Sequence, residues 1–359
     1  MGAIAKNLKE LSGENDWEGL LDPLNINLRQ YIIHYGERVQ AVYDSFNYDK
    51  TSGSYGFPLY APKDIFSNVG LEKGNSYHYT GQSTWIGYVA VATDEGKATL
   101  GRRDILISWR GTLLAKEWLK DIDWPLTSDS NILGGTYDPQ PQVHKGFHSL
   151  YTSCDTKSEY NKFSASEQVL SSVKKLVDKY KDEEISITIT GHSLGSALAT
   201  LNAAEIVSKG YNKPTGSDKA CIVTAFVFAS PKVGDKAFKT AFNGLENLHL
   251  LRIRNIDDIV PTLPTKFPFF LYFEVGKELT IDTTKSTYVN VDKAKLIESG
   301  KFTLIIKRDV ALMNKWSNIL KSEFGVPPEW WHPIMNKRMV QQDNGFWKLE
   351  YYVPEQPRA

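Results

Sequence analysis

The stretch ISITITGHSLGSALATLNAAEI, residues 185–206, combines a strand-like segment, a turn and a helix-like segment in direct succession. Its β-branched start favours a strand, and leucines recur at helical spacing after the turn. The turn itself, GHSLG at 191–195, fits the pattern Gly-x-Ser-x-Gly. In a nucleophile elbow a serine occupies such a turn, and the flanking glycines let the helix cross close to the strand. We therefore predict that Ser193 is a nucleophile at the carboxyl end of a sheet.

Segments of strand and helix character alternate through the middle of the chain, which is typical of a mostly parallel sheet with helices on both faces. Several strand segments are nearly continuous apolar runs, as expected of strands covered on both faces. A crossover helix is predicted at 164–180, where Ser164 and Glu167 form a capping box. Further helices are predicted near 26–43 and 307–324. The fold class is therefore α/β. The predicted strands are residues 85–93, 104–109, 185–190, 221–229 and 248–255.

The length of 359 residues is typical of one large domain with peripheral elements, and no repeat or linker divides the chain. We expect a single domain over 1–359. An amino-terminal helical arm covers 1–80, and a carboxy-terminal helix and tail cover 307–359.

Composition and charge limit the partners of this protein. The 42 Lys and Arg residues balance 42 Asp and Glu residues, so no net field attracts nucleic acid, although transient contact with a membrane surface is allowed. Cys154 and Cys221 are too few for a disulfide framework and lack metal-ligand spacing, so we expect no metal and no cofactor. Because the amino end shows neither signal nor transit pattern, the expected location is the cytoplasm.

The elbow also predicts where an oxyanion would be stabilised. Leu194 begins a helix, and its backbone amide can donate to a developing oxyanion. A second donor should come from an upstream strand end. The segment ISWRGT, residues 107–112, ends a strand in Arg-Gly-Thr and offers a glycine for close backbone approach with a hydroxyl beside it.

Further motifs accompany the elbow along the chain: EWLKDIDWPL (117–126), VHKGF (143–147), FASPKVGD (228–235), RNIDDIVPTLP (254–264) and WW (330–331). In this order they resemble the class 3 lipases, and within them the plant phospholipase A1 type II group, over nearly the whole chain. The resemblance implies an α/β-hydrolase fold. It makes Ser193 the nucleophile, and Thr112 with the amide of Leu194 the oxyanion hole. Asp258 becomes the triad acid, and its neighbour Asp257 is a second candidate.

The catalytic histidine of that family follows the acid in a loop before the last helix, and no histidine lies in that region here. The chain is shortened between residues 288 and 301, where the family would place this loop. A triad serine without its base is a poor nucleophile. Two histidines remain as substitutes, namely His332, the one histidine beyond Asp258, and His148. The third alternative is that no histidine replaces the missing one.

The segment 113–124 resembles the lid of this family. It either covers an apolar site and swings away or packs as an ordinary surface helix. Trp118 in this segment and the later residues Phe267, Phe269 and Phe270 would form an apolar wall for an acyl chain.

Three functions fit these features. The first is a serine ester hydrolase of the phospholipase A1 or acylglycerol lipase type, which acts through Ser193 on a hydrophobic acyl substrate. The second is a lyase, cyclase or isomerase that acts on a small hydrophobic metabolite. Such an enzyme would keep the oxyanion hole but not a complete triad. The third is a binding protein without catalysis, against which the intact elbow counts. The sequence leaves the substrate and the oligomeric state open.

Overall fold

The computed structural model describes residues 7–44, 46, 74–79, 84–112, 125–128, 131–157, 161–256, 258–264, 272–281, 306–307, 339–341 and 346–349. The chain forms two compact units. The first comprises residues 1–254 and 259–279, and the second comprises residues 255–258 and 280–359. Within the described ranges, no helix combines the length and the apolar character needed to cross a membrane.

The first unit is built on a seven-stranded sheet. Its strands are β1 (Gly74–Tyr79), β2 (Thr84–Val91), β3 (Arg103–Trp109), β6 (Ile185–His192), β7 (Ile222–Phe228), β8 (Leu248–Asn255) and β9 (Lys277–Ile281). They follow the order β1-β2-β3-β6-β7-β8-β9. Strands β3, β6, β7 and β8 run parallel, and β1 and β2 extend one edge in antiparallel pairing. The short strands β4 (Leu126–Ser128) and β5 (Gln142–His144) form a separate antiparallel pair. The mostly parallel sheet is confirmed, with each predicted strand within two residues of its observed ends.

Helices of the first unit lie on both faces of this sheet. They are α1 (Leu8–Leu11), α2 (Ile26–Asp44), α3 (Asp94–Leu100), α4 (Lys145–Thr152), α5 (Ala165–Lys179), α6 (Leu194–Ser208) and α7 (Lys236–Asn243). The predicted capping box starts α5: the Glu167 N–H donates to Ser164 Oγ (3.2 Å), and the Ser164 N–H donates to Glu167 Oε2 (2.8 Å). The arm helix predicted near 26–43 is α2. Local sequence therefore specified these helix starts well.

The central strands present different chemistry on their two faces. Successive residues of a strand point in opposite directions. On β6, Ile187 and Ile189 join the apolar core shared with α4, α5 and α6. Ser186 and Thr188 face the other way, yet all eight residues of β6 are buried. β6 therefore buries a polar face as well as an apolar one, and hydrogen bonds satisfy the polar side chains.

The buried carboxylate of Asp104 on β3 organises this polar face. It accepts hydrogen bonds from Ser186 Oγ (2.5 Å), Thr188 Oγ1 (2.8 Å) and the hydroxyl of Tyr35 on α2 (2.9 Å). Buried hydroxyl groups are tolerated when each one finds a partner. This cluster therefore fastens α2 to the sheet.

The described residues of the second unit include a three-stranded antiparallel sheet. Its strands are β10 (Ile306–Lys307), β11 (Met339–Gln341) and β12 (Phe346–Leu349), in the order β10-β12-β11. Lys307, the first residue of the predicted late helix, belongs to β10, and the rest of that helix lies outside the described residues. The candidate lid at 113–124 also lies outside them.

Candidate active site

Ser193 occupies the sharp turn between β6 and α6. Its φ of 55° and ψ of −123° lie in a region that residues other than glycine rarely adopt. Two backbone hydrogen bonds hold the turn. The Ser193 N–H donates to the carbonyl of Phe228 (2.9 Å), and the Ser196 N–H donates to the Ser193 carbonyl (2.9 Å). The strand, turn and helix expected of a nucleophile elbow are present.

The two glycines of the elbow stand where the turn has no room for a side chain. A Cβ on Gly191 would overlap the backbone of Gly195, and a Cβ on Gly195 would overlap the carbonyl of Trp109 at the end of β3. Because these neighbours are backbone atoms, a larger residue would displace α6 from the sheet. The glycines therefore let α6 start directly against β3.

The end of β3 lies beside the nucleophile. A Cβ built on Gly111 would lie 3.3 Å from the Cβ of Ser193. Leu194 is the first residue of α6, so its N–H is one of the donors that a helix start leaves without an intrahelical partner. Thr112 follows Gly111, and the hydroxyl oxygens of Thr112 and Ser193 are both buried without a hydrogen-bond partner in the described structure. The predicted nucleophile and the predicted oxyanion segment are thus brought together.

Sequence reasoning missed Tyr43, which lies near the end of α2. The Gly111 N–H donates to the Tyr43 hydroxyl (2.9 Å), and this hydroxyl lies 2.9 Å from Nδ1 of His192. Burial lowers the pKa of His192 to about 3 and raises the pKa of Tyr43. The imidazole is therefore neutral and the phenol protonated at neutral pH. No sequence signal marks this contact, because 149 positions separate the two side chains.

Arg110 was also missed as a support of this segment. Its guanidinium donates to the Gly111 carbonyl (2.9 Å) and lies 4.1 Å from the ring centroid of Phe46. The backbone of Gly111 is therefore held at its N–H by Tyr43 and at its carbonyl by Arg110.

His148, the second candidate base, lies on α4. Its Nδ1 is 3.4 Å from the Thr152 hydroxyl. Burial lowers the pKa of His148, and the carboxylate of Glu205 partly offsets this effect. Glu205 follows Ser193 by twelve positions on α6, which corresponds to about 18 Å along the helix. The described partners of His148 are therefore Thr152 by contact and Glu205, near the carboxyl end of α6, by its charge.

Asp258 belongs to the second unit and lies just past the end of β8, as the sequence predicted for the triad acid. Its N–H donates to the Asn255 carbonyl (3.0 Å), which closes a turn after the strand. The other predicted site residues lie outside the described residues: His332, Asp257, Trp118, Phe267, Phe269 and Phe270. In the part of the chain that the structure describes, no group of three or more His, Cys, Asp or Glu side chains is placed to hold a metal ion.

Comparison with known proteins assigns the family. The sequence model described as Lipase (class 3) matches residues 106–267. Phospholipase A1-IIgamma of Arabidopsis thaliana is 43% identical over 394 aligned positions, which cover 96% of this chain and 93% of that protein. Phospholipase A1-II 6 of Oryza sativa subsp. japonica is 44% identical, with 96% of this chain and 95% of that protein covered. The chain belongs to the class 3 lipase family.

A solved structure supports the fold of this class 3 lipase. Rhizomucor miehei triacylglyceride lipase superimposes with a TM-score of 0.50 at 20% identity, over 71% of this chain and 82% of that one. At this identity the likeness concerns the fold alone, which is the predicted α/β-hydrolase fold.

As a class 3 lipase similar to type II phospholipases A1, the chain is a serine ester hydrolase. The comparisons do not favour a repurposed lyase, cyclase or isomerase, or a binding protein. The 394 aligned positions exceed the 359 residues of this chain, so the Arabidopsis relative contains residues without a counterpart here.

Proposed function

We propose that this class 3 lipase cleaves the sn-1 acyl ester of glycerophospholipids through an acyl intermediate on Ser193. The observation that carries the proposal is the buried Ser193 hydroxyl, held in a strained turn beside the segment Arg110 to Thr112. The two relatives named phospholipase A1 support a phospholipid substrate and the sn-1 position.

The reaction proceeds in two steps. Ser193 Oγ attacks the ester carbonyl carbon, and the electrons of the C=O bond move to the oxygen, where the Leu194 amide and the Thr112 hydroxyl stabilise the charge. The serine proton passes to a base and then to the leaving lysophospholipid oxygen as the C–O bond breaks. Water then attacks the acyl-serine with the help of the same base, which releases the fatty acid and returns a proton to Ser193.

His332 is the base in this proposal, and Asp258 orients it. His332 is the one histidine after Asp258, so the chain order serine, acid, histidine of α/β-hydrolases is kept. His148 is the weaker candidate. Its ring is in contact with Thr152, and the charge that affects its pKa is that of Glu205 rather than that of Asp258.

The surroundings of the site complete the proposal. Trp118, Phe267, Phe269 and Phe270 form an apolar wall for the acyl chain, and segment 113–124 acts as a lid. The balanced charge of the chain supports transient rather than permanent contact with a lipid surface. The free thiols of Cys154 and Cys221 support a cytoplasmic location.

A fluorophosphonate probe tests the nucleophile, because it labels activated serines without needing the substrate. We expect the unmodified chain to be labelled at Ser193 and Ser193→Ala to be unlabelled, with mass spectrometry to locate the adduct. Absence of labelling, together with no turnover of short p-nitrophenyl esters, would reject Ser193 as the nucleophile of an ester hydrolase.

Phosphatidylcholine with different acyl chains at sn-1 and sn-2 tests the substrate and the base together. We expect release of the sn-1 chain, and a loss of kcat of about 10⁴-fold or more in His332→Ala. His148→Ala serves as the matched control and should keep most of the activity. The opposite ranking of the two variants would assign the base to His148, and release of the sn-2 chain would reject the A1 assignment.

A further inference from the structure

The hydroxyl of Tyr43 lies between the two segments that build the active site. It accepts from the Gly111 N–H at 2.9 Å, directly before Thr112. On its other side it is 2.9 Å from Nδ1 of His192, directly before Ser193. One side chain of α2 therefore joins the residue that precedes the oxyanion donor to the residue that precedes the nucleophile.

The two hydrogen bonds of the Tyr43 hydroxyl involve different kinds of groups. The Gly111 N–H can only donate, so the Tyr43 oxygen accepts there, and the direction of its hydrogen bond with His192 depends on the imidazole tautomer. Burial keeps the imidazole neutral by lowering the pKa of His192 to about 3, so this hydrogen bond joins two uncharged groups. Because Tyr43 is fully buried, water cannot replace either bond without a change in packing.

The space around Gly111 leaves little tolerance in this arrangement. A Cβ on Gly111 would overlap the Tyr43 hydroxyl and would lie 2.5 Å from the His192 carbonyl oxygen and 3.3 Å from the Ser193 Cβ. The end of β3, the elbow and the tyrosine are thus in mutual van der Waals contact. A shift of one moves the others.

We propose that Tyr43 is a positioning residue, whose hydroxyl sets the distance between the Thr112 segment and the Ser193 elbow. Oxyanion stabilisation depends on donors placed within a few tenths of an ångström of the developing charge. The inference rests on the proposed roles of Ser193 and Thr112. It assigns a role in catalysis to helix α2, which lies outside the sequence motifs and the elbow.

The test compares Tyr43→Phe with Tyr88→Phe. Both variants remove one buried phenolic hydroxyl and keep the ring. The Tyr88 hydroxyl donates to the Arg38 carbonyl at 2.8 Å, so its loss affects the attachment of α2 to the sheet but not Gly111 or His192. Melting temperatures of the two variants identify any general loss of folding.

On a soluble p-nitrophenyl ester we expect kcat of Tyr43→Phe to fall by about tenfold or more while KM stays near that of the unmodified chain. Tyr88→Phe should keep its kcat. Equal kcat values in the two variants would overturn the positioning role while leaving Ser193 as the nucleophile.

Hydrogen exchange gives a second readout that needs no activity. The Gly111 amide should exchange faster in Tyr43→Phe than in Tyr88→Phe, because only the first variant removes its acceptor. Unchanged exchange at Gly111 would show that Tyr43 does not hold the segment. If the unmodified chain fails to react with the fluorophosphonate, the role of Ser193 is rejected, and the exchange comparison still decides whether Tyr43 joins the two segments.

Discussion

At the scale of single residues, the hydroxyl groups of Ser193 and Thr112 depart from the usual pairing of buried polar groups. Both are buried without a partner in the described structure, and such a group lowers stability by about 1–3 kcal/mol. The backbone of Ser193 adds strain, since its φ is 55°. Such departures from the usual pairing and backbone geometry are expected at a catalytic site.

Replacing Thr112 should therefore separate activity from stability. In Thr112→Val the oxyanion donor is lost, and we expect kcat to fall by about 10²-fold or more. The free energy of unfolding should stay constant or rise by about 1 kcal/mol, because an unpaired buried hydroxyl becomes a methyl group. Ester kinetics and urea denaturation measure the two effects.

Thr188→Val is the matched control for this prediction. The Thr188 hydroxyl is also buried, but it is paired with Asp104 at 2.8 Å and with Tyr35 at 3.2 Å. Its loss should lower the free energy of unfolding by about 1–2 kcal/mol. Equal destabilisation of both variants would show that the Thr112 hydroxyl is paired, and an unchanged kcat would remove Thr112 from the oxyanion hole.

At the scale of elements, helix α6 is held at both of its ends. Its start carries Ser193, and near its end the Glu205 carboxylate accepts hydrogen bonds from the Tyr151 hydroxyl, the Ser166 hydroxyl and the Lys209 ammonium, each at 2.6 Å. Tyr151 lies on α4 and Ser166 on α5. One buried carboxylate therefore ties three helices of the same layer together.

Glu205→Gln should destabilise this layer. The amide has one acceptor oxygen where the carboxylate has two, so either the two hydroxyls on Oε2 or the Lys209 ammonium on Oε1 would face an NH₂ group, and the negative charge is lost. We expect a loss of about 1–3 kcal/mol in the free energy of unfolding. Urea denaturation measures it, with the exposed Glu246→Gln as a control that should change stability by less than about 0.5 kcal/mol. Tyr151→Phe combined with Glu205→Gln should lose less than the sum of the single variants, and strict additivity would contradict the network.

At the scale of the whole molecule, acid should unfold the chain in part through His192. Its pKa is about 3 in the folded state because of burial, against 6.5 for the unperturbed group. Between these values the unfolded chain binds the proton and the folded chain does not. The contribution of neutral His192 to the free energy of unfolding is therefore complete above pH 6.5. It is lost as the pH falls towards 3, at up to about 1.4 kcal/mol per pH unit.

The measurement is the free energy of unfolding between pH 7 and pH 4. In His192→Gln the free energy of unfolding should change less steeply with pH, because nearly one proton fewer is bound on unfolding. This holds whatever the stability of the variant at pH 7. His249→Gln is the control, because burial lowers the pKa of that side chain while the carboxylates of Asp16 and Glu14 oppose the effect, so we expect a smaller change of slope. Equal slopes in His192→Gln and the unmodified chain would mean that the imidazole is protonated without unfolding.

The sequence by itself determined the local elements of this protein. The turn 191–195 could be placed from its glycines, and the start of α5 from Ser164 and Glu167, because backbone sterics and capping depend on residues a few positions apart. The motifs along the chain also identified the family, which the relatives confirmed. The alternation in ISITIT does not reveal that α2 packs on the serine and threonine side chains of β6, because that contact depends on tertiary packing.

Only the tertiary structure decided which distant groups meet at the site. Tyr43 bridges Gly111 and His192 across 68 and 149 positions of sequence, and nothing in the residues near Tyr43 encodes that contact. The position of His148 beside Thr152 and near Glu205 likewise depends on how α4 packs against α6. Such contacts arise from the packing of whole layers, where the fit of one element against another selects the partners that a local pattern leaves open.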